Sequence, residues 1–138
     1  MSQKNKQMKT IKKLGICMDH TNAYIIEFSD EEKLPSTITL DFDKQDKDET
    51  LQRSESEMHN KQQQRQKSYY KKIAAVIRNF NEVLLFGPTE AKIELFNVLR
   101  QDHLFDNIKM EVINTDKMSE NQQYDFIMEH FKKMDSII

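Results

Sequence analysis

Apolar residues recur along this chain in two different periods, and the change from one to the other marks out the elements. Ile11 to Met18 and Ala23 to Phe28 are short apolar runs. Between them stands Asp19-His20-Thr21-Asn22, whose short polar side chains bond locally and favour turns, so a hairpin is expected. Ile38, Leu40 and Phe42 then alternate with Thr37, Thr39 and Asp41, a period of two that predicts a strand from Ser36 to Phe42. Pro35 sits just ahead of it, where proline is tolerated. From Met58 the period lengthens. Met58, Gln62, Arg65, Tyr69, Ile73, Val76, Ile77 and Phe80 recur at spacings of three and four and trace one face of a long helix. Its first half is polar even on that face, so Asn60 to Lys67 is expected to project past the sheet, while Ile73 to Phe80 docks on it.

Glu82 to Phe86 is nearly continuous in apolar residues and ends at Gly87-Pro88, the profile of a strand buried on both faces and expected in the middle of the sheet. Ala91, Leu95, Phe96, Val98 and Leu99 predict an amphipathic helix from Thr89 to Arg100, starting at the Gly-Pro turn. Ile108 to Ile113 reads as a further strand. Ser119 with Gln122 three residues later has the spacing of a capping box, and Tyr124, Ile127, Met128 and Phe131 form the apolar face of a last helix. Three strands followed by alternating helices and strands predict an α/β fold: a three-layer α/β/α sandwich on a mixed five-stranded sheet.

Composition changes this picture little. A chain of 138 residues can bury roughly two-thirds of its unfolded surface in one core. Residues 1–10 are expected to be a flexible basic tail, 11–138 a single domain, and 43–56 a mobile acidic loop within it. Charged residues make up 32% of the chain and hydrophobic ones 37%, yet the net charge is only −2. A field that weak does not draw nucleic acid to the whole molecule, so any RNA contact needs a local basic patch. Cys17 is the one cysteine, which excludes an internal disulfide and a cysteine-based zinc cluster. No apolar run reaches the roughly 20 residues of a membrane span. The lysine-rich start leads into a short strand, without the apolar stretch of a signal peptide, and the expected location is cytoplasmic with no membrane partner.

Four groups of residues carry candidate chemistry. Asp19, with Glu27, Asp41 and Asp43, could mimic the carboxylates of a two-metal nuclease. Against this, Asp41 lies on the polar side of its strand, Asp43 begins a loop, and acids at strand ends commonly serve turns. His20, His59, His103 and His130 fall on separate elements without metal-ligand spacing, so no metal or other cofactor is implied; His20 stands out through its neighbour Asp19. Gly87, Thr89 and Lys92, at a strand-to-helix junction, could meet a phosphate through a helix N-terminus, although no glycine-rich or Walker signature accompanies them. Asp19 and His20 could share in such a functional turn. Lys61, Arg65, Lys67, Lys71 and Lys72, close to Tyr69 and Tyr70, combine cations with aromatic faces as an RNA-contacting helix would. The plainer reading of that run is a solvated helix face.

The order of these features resembles the central domain of the eukaryotic and archaeal class-1 release factors and of Pelota. The resemblance rests on the hairpin start, the charged loop, the helix ending Tyr70-Lys71-Lys72-Ile73, and Val83-Leu84-Leu85-Phe86-Gly87-Pro88 with Lys92 and Leu95-Phe96. It covers about residues 11 to 131. Short stand-alone bacterial relatives look closer still, sharing Met18-Asp19-His20, Met58-His59-Asn60-Lys61 and Leu84-Leu85-Phe86-Gly87-Pro88-Thr89. The resemblance implies a ribonuclease H-like fold in a translation-related protein, with the ribosome, rRNA or tRNA as partner. Release factors carry a Gly-Gly-Gln tip in the loop before the long helix, and residues 43–56 contain no glycine. Gln45 and Gln52 therefore lack the flanking glycines that tip requires, and peptidyl-tRNA hydrolysis is not expected. The resulting expectation is a non-catalytic ribosome- or RNA-associated factor, with a stress, hibernation or rescue role, that acts by binding. The alternatives are a metal-dependent nuclease built on Asp19 and a protein-interaction module in which the long helix pairs with a partner or a second copy.

Overall fold

A computed structural model describes residues 11–29, 31, 33–40 and 55–136. The expected basic tail lies outside these residues, as do positions 41–54 with Asp41, Phe42, Asp43 and most of the glycine-free loop, whose expected last two residues, Glu55 and Ser56, instead open the long helix. The elements are β1 (Lys13–Met18), β2 (Asn22–Phe28), β3 (Ser36–Thr39), α1 (Glu55–Ile77), β4 (Glu82–Gly87), α2 (Ala91–Arg100), a short 3-10 turn (His103–Phe105), β5 (Lys109–Asn114) and α3 (Glu120–Ser136).

The strands form one sheet in the order β3-β2-β1-β4-β5. A tight turn can join only antiparallel neighbours, and the Asp19–Thr21 turn duly pairs β1 with β2, Gly15 opposite Ile26 and Cys17 opposite Tyr24. β3 pairs antiparallel with β2. A parallel neighbour needs a crossover, and α1 carries the chain to β4 beside β1, as α2 carries it to β5 beside β4. β4 is therefore interior, with Val83, Leu84, Leu85 and Phe86 all buried. The strand in the middle, however, is β1. Its antiparallel partner lies on one side and its parallel partner on the other, an arrangement the apolar profile of β4 does not reveal.

The pleat divides the core in two. Leu14, Ile16, Met18, Ile25, Val83 and Leu85 face Tyr69, Tyr70, Ile73 and Ile77 of α1 and Ala91, Leu95 and Leu99 of α2. On the other side Ile26, Leu84 and Phe86 meet Ile127 and Phe131 of α3. The result is the three-layer sandwich, with two helices over one face and one over the other. α3 begins at the expected capping box: the Ser119 backbone N–H donates to Gln122 Oε1 at 2.8 Å, and the Gln122 N–H donates to Ser119 Oγ at 3.2 Å.

Several details differ from expectation: β1 begins at Lys13 and not Ile11, β3 ends at Thr39 and not Phe42, and α1 ends at Ile77 and not Phe80. α2 starts at Ala91, two residues later than predicted, because Thr89 Oγ1 is used to receive the Ala91 N–H at 3.2 Å and so stands outside the helix. α1 does not stand clear of the sheet along its polar half. Lys61, Arg65 and Gln66 are half-buried, and Gln66 Nε2 donates to the His20 carbonyl at 3.1 Å, which ties the helix to the β1–β2 turn. Among the described residues no helix is long and apolar enough to cross a membrane.

Candidate functional site

The carboxyl ends of β1 and β4 lie side by side. The connection leaving β4 turns to one face of the sheet and that leaving β5 to the other, the place where open α/β sheets form a crevice. Gly87 brings the two strand ends together. Its φ is +145°, and a Cβ placed there would lie 2.3 Å from the Met18 carbonyl oxygen. Only a residue without a side chain satisfies both conditions. Beside it opens a cleft of about 450 Å³, with Cys17, Met18 and Asp19 at the end of β1, Tyr24 and Thr37 from β2 and β3, Pro88 and Thr89 after β4, and Lys117, Met118, Glu120 and Gln123 after β5.

Asp19 shapes the turn that edges this cleft. Its Oδ1 accepts from the Thr21 N–H at 2.8 Å, the Thr21 hydroxyl at 3.1 Å and the Asn22 N–H at 2.8 Å. Burial alone would raise its pKa, but these donors and the neighbouring His20 outweigh burial and hold the carboxyl below its ordinary value. The acid therefore serves both the turn and the cleft. His20 points elsewhere: its Nε2 lies 3.2 Å from Glu94 Oε2 on α2, and Glu94 Oε1 accepts from the Tyr70 hydroxyl at 2.6 Å. The Tyr70 bond is the main reason that the Glu94 carboxyl sits below its usual range.

The two tyrosines correct the aromatic half of the expected RNA surface. Tyr69 is 1% and Tyr70 8% exposed, and the Tyr69 hydroxyl donates to the Asp19 carbonyl at 2.8 Å. Tyr69 fixes the turn from beneath and Tyr70 holds Glu94, and neither ring offers a face on which a base can stack. Burial pushes both hydroxyls up. Lys92 is corrected in the same way. It is 1% exposed, and its Nζ donates to the Thr89 carbonyl at 2.6 Å and to Asn114 Oδ1 at 2.9 Å. Side chains on a helix lean toward its N-terminus, which sends this ammonium inward under the turn and away from any phosphate outside.

The cations of α1 lie on two lines. At 3.6 residues per turn, Lys61, Arg65 and Lys72 follow one side of the helix and Lys67 and Lys71 another, roughly a third of a turn away. Lys67, Lys71 and Lys72 are exposed. The remaining candidates do not converge. Glu27 pairs with Leu14 in β1, whereas Asp19 follows Met18 at the opposite end of that strand, so these two acids share no site. His103 faces Asp106, and His130 faces Glu111 from the other side of the sheet. Among the described residues no three His, Cys, Asp or Glu side chains stand close enough to hold a metal.

Sequence reasoning missed most of the cleft. Cys17, Tyr24, Lys117, Glu120 and Gln123 drew no functional reading, although the rule that ligands gather at the carboxyl ends of parallel strands would have flagged the segment after Ile113. The Cys17 thiol is pushed up to about 11, by burial first and then by the charge of Asp19, with Lys92 opposing. It is a neutral, half-buried thiol that lines the cleft.

Fold and cleft together define a three-layer α/β/α domain with a crevice at the carboxyl ends of its parallel strands. Solved structures share this architecture, two Pelota proteins among them. The Pelota protein of Thermoplasma acidophilum superposes with a TM-score of 0.54 at 15% identity over 88% of this chain and 33% of its own. Pelota of Archaeoglobus fulgidus gives 0.53 at 11% identity, over 86% of this chain and 31% of its own. The chain thus spans about a third of each Pelota protein, and identities this low establish likeness of fold. No protein-family model and no curated protein matches the sequence.

Proposed function

We propose that this protein is a translation-related factor that acts by occupying a site on the ribosome or its RNA, without catalysis of its own. The observation that carries the reading is the fold shared with two Pelota proteins over most of this chain. The exposed lysines of α1 support it, because they supply the local basic surface that a net charge of −2 does not. The absence of glycine from residues 43–56 supports a binding role over peptidyl-tRNA hydrolysis.

Co-sedimentation with ribosomes through sucrose gradients at low and high salt tests the proposal. The protein is expected in the ribosomal fractions at low salt. Reversing Lys67 and Lys71 to glutamate should shift it toward the top, and so should raising salt, since each phosphate contact contributes about −0.9 to the log–log salt slope on duplex and somewhat less on single strands. A protein that stays at the top under both conditions refutes the proposal.

A further inference from the structure

The cleft walls are rich in hydrogen-bond acceptors. Asp19 commits Oδ1 to the turn, and Oδ2 of this ionised group has no partner among the described residues. Asn22 gives Nδ2 to Thr21 Oγ1, which leaves its Oδ1 as an acceptor. Gln123 gives Nε2 to the Met118 carbonyl at 2.9 Å, and this bond orients the amide. Its Oε1 is buried with no partner among the described residues. Glu120, on the first turn of α3, adds a second carboxylate. It stands close enough to Tyr24 to raise that hydroxyl's pKa further, after burial.

Cations are fewer. Among the described residues Lys117 is the one ammonium lining the cleft, and it is exposed. Lys92 lies beneath, with Nζ bonded to Thr89 and Asn114. A phosphate entering here would meet the carboxylates of Asp19 and Glu120 as well as Lys117 and the hydroxyls of Tyr24, Thr37 and Thr89, while Gln123 Oε1 lies buried in the wall. Met18, Tyr24, Pro88 and Met118 supply apolar wall between the polar groups. A volume of about 450 Å³ falls in the range of pockets that hold small ligands.

We propose that this cleft binds a cationic nitrogen group, an ammonium or a guanidinium, carried on a slender apolar stem. Asp19 Oδ2 and Gln123 Oε1 receive its N–H donors, Glu120 adds charge at the mouth, and Met18 and Met118 cover the stem. The chemistry has two sources, a free small amine or the arginine or lysine side chain of a protein partner. The site is separate from the α1 lysines, so it stands or falls independently of ribosome binding.

Cys17 provides the readout, because it is the only thiol of the chain and lines the cleft. The rate of its modification by a small maleimide is measured on the full chain at matched ionic strength. The probes are agmatine, a doubly blocked Gly-Arg-Gly peptide, and adenosine monophosphate as an anionic comparison. Agmatine or the peptide is expected to slow modification several-fold at saturation, and the nucleotide to leave it unchanged. Asp19→Asn and Gln123→Leu should each raise the half-protecting concentration about tenfold, as expected for loss of a charge-assisted or buried hydrogen bond. Protection is scored as a ratio within each variant, since Asp19 itself affects the thiol. Should Asp19→Asn not fold, Glu120→Gln at an exposed position replaces it, with a smaller loss of the same sign. Protection by agmatine alone assigns the site to a free amine, and protection by the peptide alone to a partner's side chain. Protection by neither, equal protection by the nucleotide, or protection that survives all these variants overturns the proposal.

Discussion

Replacing Gly87 with alanine perturbs the contact on which the cleft is built. Two costs add. At a φ of +145° an L-residue is strained by about 1–3 kcal/mol. The new Cβ would also sit 2.3 Å from the Met18 carbonyl oxygen, a backbone atom held in the central strand, so relief requires β1 and β4 to separate at their carboxyl ends. Overpacking of this kind costs about 1–3 kcal/mol. The sum, about 2–6 kcal/mol, is a large part of the 5–15 kcal/mol typical of a domain. Gly15 supplies the comparison. A Cβ there would lie 2.4 Å from Ile127 Cγ1, but that neighbour is a side chain and the backbone is not in the left-handed region. Gly15→Ala should therefore cost less, about 1–3 kcal/mol. Urea unfolding followed by circular dichroism measures both. The reasoning fails if Gly87→Ala costs under about 1 kcal/mol, or if Gly15→Ala proves the more damaging of the two.

Three further outcomes follow from the turn and the thiol. Tyr69→Phe leaves the Asp19 carbonyl without its donor and should cost about 1–2 kcal/mol in the same urea titration, with the fold retained. Asp19 has a folded-state pKa below its unfolded value, so its stabilising contribution is complete above the unfolded pKa and is lost as pH falls through the folded one. Acid unfolding of wild type and Asp19→Asn should converge at low pH, and curves that run parallel throughout contradict this. The Cys17 thiol, pushed up to about 11, should react with iodoacetamide slowly at pH 8 and faster as pH approaches that value. Unfolding in urea should restore an ordinary rate, and equal rates in the folded and unfolded protein would show that the thiol is not buried.

Much of this architecture is readable from local pattern. The alternation through Ile38, the continuous run from Val83 to Phe86 and the spacing of Tyr69, Ile73 and Ile77 each report which side of an element meets apolar matter. The Ser119–Gln122 box forms within one helical turn, and it appears as the spacing predicts. Gly87 too was marked by its place between strand and helix. All of these depend on residues a few positions apart, where chain geometry dictates the contact.

The cleft depends on contacts between distant segments. Tyr69 meets Asp19 across a separation of 50 residues and His20 meets Glu94 across 74, and neither pairing leaves a periodic trace. The same spacing that shows Tyr69 on an apolar face cannot tell whether its ring ends in a core or a binding surface. A lysine one turn into a helix reads as a surface cation until the loop carbonyl and Asn114 that receive it are in place. Pattern in the chain was enough to specify a sandwich of strands and helices, because burial of one face per element follows from side-chain periodicity. Which side chains share the crevice, and that they are mainly acceptors, followed from the pairing of β1 between β2 and β4, since only sheet order sets three remote loops side by side.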